Sequence, residues 1–331
     1  MIQEDGADSR FTPLTACWIC GSDQLVRIHQ GRFDLAPYAE QDPDLSSYTG
    51  YKLWLKRCRG CGFAQPEALP TLPNYFARMY DQRWSEEWVQ QEFDSGCKDF
   101  IFYTVLGELA GRVPPSQRRL LDVGAHVGRL IYLAQQSGWQ AEGIEINQPT
   151  SAYAARKTQL PVHQVNAESL ALERVEYGAV TLIDVLEHIP NPLKLLCTIG
   201  KLLEPNGWVA IKVPCGRNQL FKEYVRSRLH KNYKVSVADN LVHVNHFSPS
   251  SLRIALEKAG FSQVTITLGA PELSPLETSR SARKLLSSTL RLSVYHLGRF
   301  IPGGIHSPLA FNLQAYAQKN LERGGLREPA N

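Results

Sequence analysis

Short apolar runs ended by glycine alternate, from residue 120 onward, with stretches whose apolar residues recur every three or four positions. That is the signature of strands followed by helices. Leu120, Leu121 and Val123 make the first strand, Gly124 and Gly128 flank a tight turn, and Leu130, Ile131, Leu133 and Ala134 begin a helix closed by Gly138. Gln140–Ile146 is the second strand, with Glu145 near its tip. A helix over Pro149–Thr158 and a third strand, Pro161–Val165, come next, followed by Asn166 at the sheet edge. Ala179–Ile183 is the fourth strand. Asn191 and Pro192 then open a helix with Leu193, Leu196, Ile199 and Leu203 on its buried face and Gly207 as its close. Trp208–Val213 is the fifth strand. Ser248 and Pro249 start a helix that Gly260 ends, Gln263–Leu268 is the sixth strand, and Leu309–Ala317 a seventh, antiparallel one. Strictly alternating strands and helices predict an α/β chain built on a mostly parallel sheet.

The first part of the chain has a different rhythm. Tyr51–Lys56 alternates as a half-buried hairpin strand should. Cys17-Trp-Ile-Cys20-Gly21 and Cys58-Arg-Gly-Cys61-Gly62 repeat one knuckle across an intervening stretch, 21–57. Two C-x-x-C-G turns let four thiolates reach one ion, so Cys17, Cys20, Cys58 and Cys61 are expected to hold a structural Zn²⁺ in a closed ribbon. Residues 72–110 read as helical, with Trp84 and Trp88 one turn apart and Ile101, Val105 and Leu109 on one face, up to Gly111 and Pro114-Pro115. The expected division is a zinc ribbon over 1–71, a helical bridge over 72–114 and an α/β domain over 115–331. The last should remain foldable without the ribbon.

Composition narrows the classes. Hydrophobic content of 43% and charge of 21% are those of an ordinary globular chain, and a net charge of +4 is too mild to argue for nucleic acid. The polar start, MIQEDGADSR, is not a signal peptide, and no apolar run has the length of a membrane span. Seven cysteines without an export signal fit a reducing cytoplasm. Two local excesses of base stand out. One is an insertion carrying Arg217, Lys222, Arg226, Arg228, Lys231 and Lys234 against Glu223 alone; it would lid a site and suit an anionic small molecule, although a solvated helix face is the favoured reading. The other is a basic amphipathic helix over 280–299 with Leu286, Leu290, Val294 and Leu297 on one side. Such a helix can touch a membrane peripherally, although packing over the sheet is the favoured reading.

The chemistry gathers at the first turn. Bare backbone between Gly124 and Gly128 lets a ligand approach, the helix start offers amides, and Glu145 can take two ribose hydroxyls, so a nucleoside is expected there. A pyrophosphate would want G-x-G-x-x-G, and His126 stands where the middle glycine would be.

This stretch resembles the class I S-adenosylmethionine (SAM)-dependent methyltransferases, whose first motif is D-x-G-x-G-x-G. The resemblance is also carried by Asp184-Val-Leu-Glu187-His188-Ile-Pro-Asn191-Pro192 and by the His243-x-x-His246-Phe247-Ser248-Pro249-x-Ser-Leu segment. It covers roughly 115–320. It implies a Rossmann-like sheet of seven mostly parallel strands, SAM as methyl donor, and a small-molecule acceptor such as a sugar, nucleotide-sugar, glycan or secondary metabolite methylated on oxygen or carbon. It also implies cofactor contacts from Asp122, Gly124, His126, Gly128, Glu145, Asn166 and Asp184, with Asn166 toward the adenine amino group. A base near neutrality suits a hydroxyl acceptor, and His188, His243 and His246 are the candidates, in that order. Two alternatives stay open: an RNA methyltransferase gripping RNA with the ribbon, and a non-catalytic module of the same fold.

Overall fold

The computed structural model describes residues 9–80, 85–171, 176–229, 237–274 and 282–320. Trp84, Lys231 and Lys234 lie outside them. Seven strands form the main sheet: β1 (Arg119–Val123), β2 (Gln140–Ile144), β3 (Val162–His163), β4 (Tyr177–Ile183), β5 (Leu203–Pro214), β6 (Phe261–Leu268) and β7 (Asn312–Lys319). Their order across the sheet is 6-7-5-4-1-2-3. β7 runs antiparallel to both β5 and β6, while β5, β4, β1, β2 and β3 pair in parallel. The expected Rossmann-like sheet with one reversed strand is therefore present.

The described helices of eight residues or more are α1 (Glu86–Ser95), α2 (Asp99–Ala110), α3 (Arg129–Gln136), α4 (Gln148–Thr158), α5 (Pro192–Leu202), α6 (Gly216–Leu229), α7 (Pro249–Lys258) and α8 (Ala282–Phe300). Strand periodicity of two sends neighbours to opposite faces. Leu121, Val180 and Ile211 pack with α5 and α7 on one face, and Leu120, Ala179 and Ala210 pack with α2, α3 and α8 on the other.

Several strand ends moved by two or three residues, the second strand stopping at Ile144 and the seventh running Asn312–Lys319, and three differences have a local cause. The expected helix over 72–110 is broken: Ser85 caps α1, and Gly96, left-handed at φ 59°, ends it before α2 begins. The helix from Asn191 stops at Leu202, because Leu203 already pairs with Tyr177 at the start of β5. Gly207 therefore sits inside a register shift of that strand rather than at a helix end. β3 is shortened to two residues, because its partner β2 ends at Ile144, opposite His163, and Asn166 caps the next short helix by accepting the Ser169 amide at 2.7 Å.

In the N-terminal part, Leu25–Arg32, Lys52–Cys58 and Ala64–Pro66 form an antiparallel three-stranded sheet. It does not stand apart. Cys17, Ile19, Cys61 and Phe63 belong to the same buried cluster as Leu196, Phe247 and Leu252. Ala64 and His246 exchange backbone hydrogen bonds at 3.0 and 2.9 Å, and the Ser248 hydroxyl donates to the Cys61 carbonyl at 2.7 Å. The Arg32 amide donates to Asp239 and the Asp34 amide to Asn240. A Cβ on Gly31 would stand 2.4 Å from the Ala238 oxygen, so this approach requires glycine. The expectation that 115–331 folds without the ribbon therefore runs against a shared core.

Candidate active site

The first turn of the sheet lies where the glycine spacing put it. Gly124 (φ 77°) and Gly128 (φ 82°) bracket His126, itself left-handed at φ 50°. A Cβ on Gly124 would meet Val185 Cγ2 at 2.6 Å, so the turn closes against β4's exit only with glycine there. The amides of Gly124 and Ala125 both donate to the Ile144 carbonyl at 2.9 Å. The Glu145 carboxylate finishes the turn: Oε2 accepts the His126 amide at 2.9 Å and Oε1 the Asn147 amide at 2.8 Å. Each oxygen keeps a lone pair for a further donor. Burial raises the Glu145 carboxyl above its usual range.

Asp122, fully enclosed, accepts the Thr181 hydroxyl at 2.7 Å, and burial pushes its carboxyl up to about 7. The His126 ring sits edge-to-face on Trp88 of α1 at 5.6 Å, and burial pushes it down to about 4, so it is neutral. Asp122, Gly124, His126 and the Ser95–Lys98 bend enclose a slot of about 50 Å³.

A second, much wider cavity of about 600 Å³ opens next to it, the size of a small-molecule site. Ile183 lines the slot and Asp184, the next residue, lines the wide cavity. Asp184 (φ 57°) is gripped from both sides, by Lys212 Nζ at 2.5 Å and by Lys98 Nζ at 3.2 Å. Burial pushes its carboxyl up, but the Lys212 and Lys98 ammoniums outweigh this and hold it well below the usual carboxylate range.

Deeper in the wide cavity stand Glu187, His188 and His243. Burial, then the Asp184 carboxylate, push Glu187 up to about 8, and its Oε2 has no hydrogen-bond partner. His188 Nδ1 lies 2.7 Å from both the Tyr80 hydroxyl and the Val242 carbonyl, and Tyr80 also donates to that carbonyl at 2.6 Å. With Nδ1 held against an acceptor carbonyl as N–H, the lone pair is left on Nε2. His243 packs edge-to-face on His188 at 4.8 Å and contacts Gln219 through Nδ1. Burial lowers both imidazoles, so both are neutral near pH 7.

His246 is not part of this wall. It is buried behind it against Ala64, with neither ring nitrogen hydrogen-bonded, and burial lowers it to about 4. Its backbone holds the ribbon seam. Tyr80, by contrast, was not legible as a site residue, since nothing in the 72–110 periodicity marks it. Neither were Lys98 and Lys212. The basic insertion does reach the cavity, with Lys222 and Arg226 joining Arg291 of α8 on its lining.

Among the described residues, two groups of side chains could hold an ion. Cys17, Cys20, Cys58 and Cys61 bring their sulfurs within 4.8 Å of one another, with Cys17–Cys61 at 3.7 Å and Cys20–Cys58 at 3.4 Å. A tetrahedral Zn–S bond of about 2.3 Å needs sulfurs about 3.8 Å apart, so the set fits. Both knuckles share one backbone form: Gly21 and Gly62 are left-handed, and each donates its amide to the first cysteine's carbonyl. The Cys61 hydrogen bond lowers the Cys17 thiol to about 5. Glu187, His188 and His243 form the other group, also within 4.8 Å.

A mostly parallel sheet with one reversed strand next to its edge, a glycine turn and an acid just past the second strand define the class I SAM-dependent methyltransferase architecture. Residues 100–266, just over half of the chain, match the model of a family described as a methyltransferase domain, and the chain belongs to that family.

Ubiquinone biosynthesis O-methyltransferase of Paracidovorax citrulli (strain AAC00-1) is 31% identical over 111 residues, 31% of this chain and 47% of that protein. The Bordetella avium (strain 197N) enzyme of the same name is 29% identical over 161 residues, 46% of this chain and 65% of that one. The chain thus spans roughly half to two thirds of the length of these relatives. Among solved structures, a SAM-dependent methyltransferase from Archaeoglobus fulgidus aligns at 17% identity and TM-score 0.44, covering 71% of this chain and 100% of that one. Haemonchus contortus phosphoethanolamine N-methyltransferase 2, in complex with SAM, aligns at 16% identity and TM-score 0.47, covering 89% and 68%. No described helix is long and apolar enough to cross a membrane.

Proposed function

We propose that the chain transfers a methyl group from SAM to a small acceptor held in the wide cavity, with an oxygen as the methylated atom. The observation that carries this reading is the adjacency of the two cavities, lined by consecutive residues at the end of β4 and tied together by the Lys98–Asp184–Lys212 chain. When bound, SAM would supply an electrophilic sulfonium methyl, the thioether of S-adenosylhomocysteine leaving as the acceptor oxygen takes the methyl.

The chain's own residues would do the rest. Glu145 accepts the two ribose hydroxyls with the lone pairs left over from the turn amides, and Ile146, exposed beside it, offers an apolar plate for the adenine. The Gly124–Gly128 backbone, Asp122 and His126 border the methionine end. Asn166 is assigned to the adenine amino group, with its side-chain oxygen also accepting the Ser169 amide. Asp184, fixed as a carboxylate, marks the boundary between donor and acceptor.

His188 is the base we assign to the acceptor hydroxyl, through Nε2. Tyr80 and the Val242 carbonyl fix its tautomer, and His243 packs beside it. Lys222, Arg226 and Arg291 on the cavity lining favour an acceptor bearing negative charge, such as a nucleotide-linked sugar. The O-methyltransferase relatives support oxygen over carbon as the acceptor atom.

We further propose Zn²⁺ at Cys17, Cys20, Cys58 and Cys61, with the division into 1–71, 72–114 and 115–331 as functional segments. In that reading the ribbon's task is to hold 237–248, the stretch carrying His243, in place. This use of its inner face favours the small-molecule reading over an RNA grip. Incubation with labelled SAM and panels of nucleotide sugars, cell extract and RNA tests the proposal. Label in a small anionic product is expected, and label in RNA alone would refute it.

A further inference from the structure

Eight of the twelve large hydrophobic side chains exposed among the described residues lie on α6 and α8, and Tyr103, Ile146, Ile301 and Phe311 are the others. Of those four, Ile301 directly follows α8 and Phe311 lines the wide cavity. The two helices flank that cavity: Gln219, Lys222 and Arg226 of α6 line it from one side and Leu290, Arg291, Val294 and Tyr295 of α8 from another. On α8 the exposed residues fall on one stripe. Leu286, Leu290, Leu297 and Phe300 are 71%, 63%, 56% and 84% exposed, and steps of four, seven and three keep them on one face. Tyr295 and Gly298, on the opposite face, pack inward over the sheet. The helix therefore spends one side on the core and leaves a second apolar side uncovered. Soluble monomers rarely leave such a contiguous surface bare.

We propose that this face, α6 and α8 around the mouth of the wide cavity, docks on an anionic lipid bilayer. Three features choose that occupant over a second copy of the chain. The cations interleaved with the apolar residues, Arg226 and Arg228 on α6 and Arg291 and Arg299 on α8, are exposed. The one acid on these two helices, Glu223, is buried and accepts the Val237 amide. A two-fold pairing would set this arginine-rich face against itself, since an isologous contact repeats the same patch on both sides. Anionic headgroups answer that charge, and leucine and phenylalanine side chains enter the acyl boundary beneath them. Leu290 belongs both to the stripe and to the cavity lining, so docking would open the acceptor site directly onto the bilayer surface. The proposal does not depend on the methyl-transfer reading.

The test is co-sedimentation of the full chain with phosphatidylcholine vesicles, with and without about one third phosphatidylglycerol. Partition into the anionic vesicles is expected to exceed that into neutral ones at least about tenfold and to fall with added salt. The variant Leu286→Glu/Leu297→Glu/Phe300→Glu changes only exposed side chains and should lose at least about tenfold in partition while keeping the wild-type melting temperature. Arg228→Glu/Arg299→Glu should abolish the preference for anionic vesicles. Equal, negligible partition into both vesicle types would overturn the proposal, as would a triple variant that binds like wild type. Light scattering that shows a wild-type dimer converted to monomer by the triple substitution would also overturn it, by assigning the stripe to a second copy. Titration of S-adenosylhomocysteine into the same samples reads the methyltransferase reading separately: vesicle binding without nucleoside binding would remove that reading and leave the docking face standing.

Discussion

Replacing Glu145 by glutamine leaves shape almost unchanged and reverses half of the hydrogen-bonding pattern. In the free protein the two carboxylate oxygens accept the amides of His126 and Asn147 at 2.9 and 2.8 Å. A glutamine has one acceptor oxygen and one NH₂, so one of those amides faces another donor, an unmade bond costing about 1–3 kcal/mol. The proposed ribose contacts suffer in the same way. Hydrogen bonds to a charged acceptor are worth about 1.5–3 kcal/mol each, so losing one of two and the charge behind the other predicts about 2–4 kcal/mol of lost affinity. That is about 30- to 1000-fold in Kd. Calorimetric titration with S-adenosylhomocysteine measures it, and a thermal melt in parallel should report a modest fall in Tm from the strained turn. A Kd within about threefold of wild type, in a variant that melts cooperatively, would refute the ribose role and with it the reason for an acid at this strand tip.

Other outcomes follow from the same geometry. His188→Ala should slow turnover by about 10²–10⁴-fold with nucleoside affinity nearly unchanged, read as a fall in kcat; Tyr80→Phe should give a smaller loss in the same direction. Cys17→Ser should abolish bound zinc in a metal assay and lower Tm, and because Cys61 and Ala64 hold Ser248 and His246, it should also impair the acceptor side of the site. Residues 115–331 expressed alone should aggregate, since Phe247 and Leu252 lose the cover of Phe63 and Ile19.

A further outcome concerns pH. Glu187 is raised by burial to about 8 in the folded chain, against about 4.3 unfolded. The folded state thus holds an extra proton between those values, and the contribution is full below about 4.3 and lost as pH rises toward about 8. Relative to wild type, Glu187→Gln should therefore lose less Tm as pH rises across that window. The comparison isolates Glu187, because Asp122, raised to about 7 and acting with the same sign, and the buried imidazoles, lowered and acting with the opposite sign, are common to both proteins. An unchanged slope would mean that Glu187 is ionised in the folded protein.

The sequence by itself determined the elements whose causes are local. Hydrophobic period located the sheet strands, glycine at positive φ located the turn at 124–128, and Ser248 with Pro249 located a helix start that the structure closes as a capping box with Ser251. The C-x-x-C-G repeat announced a thiolate cluster because both knuckles need only their own few residues to form. Contacts between distant segments were decided by the tertiary structure alone. Tyr80 reaches His188 across 108 positions, Lys98 reaches Asp184 across 86, and Cys61 meets Ser248 across 187. None of these leaves a periodic trace, because each depends on how the bridge and ribbon lie on the sheet. The same holds for His243 and His246, alike in sequence and three positions apart. The backbone pairing of Ala64 with His246 buries one ring in the seam, while the other faces the cavity. Burial then makes both imidazoles neutral, but only the ring at the cavity can meet a substrate.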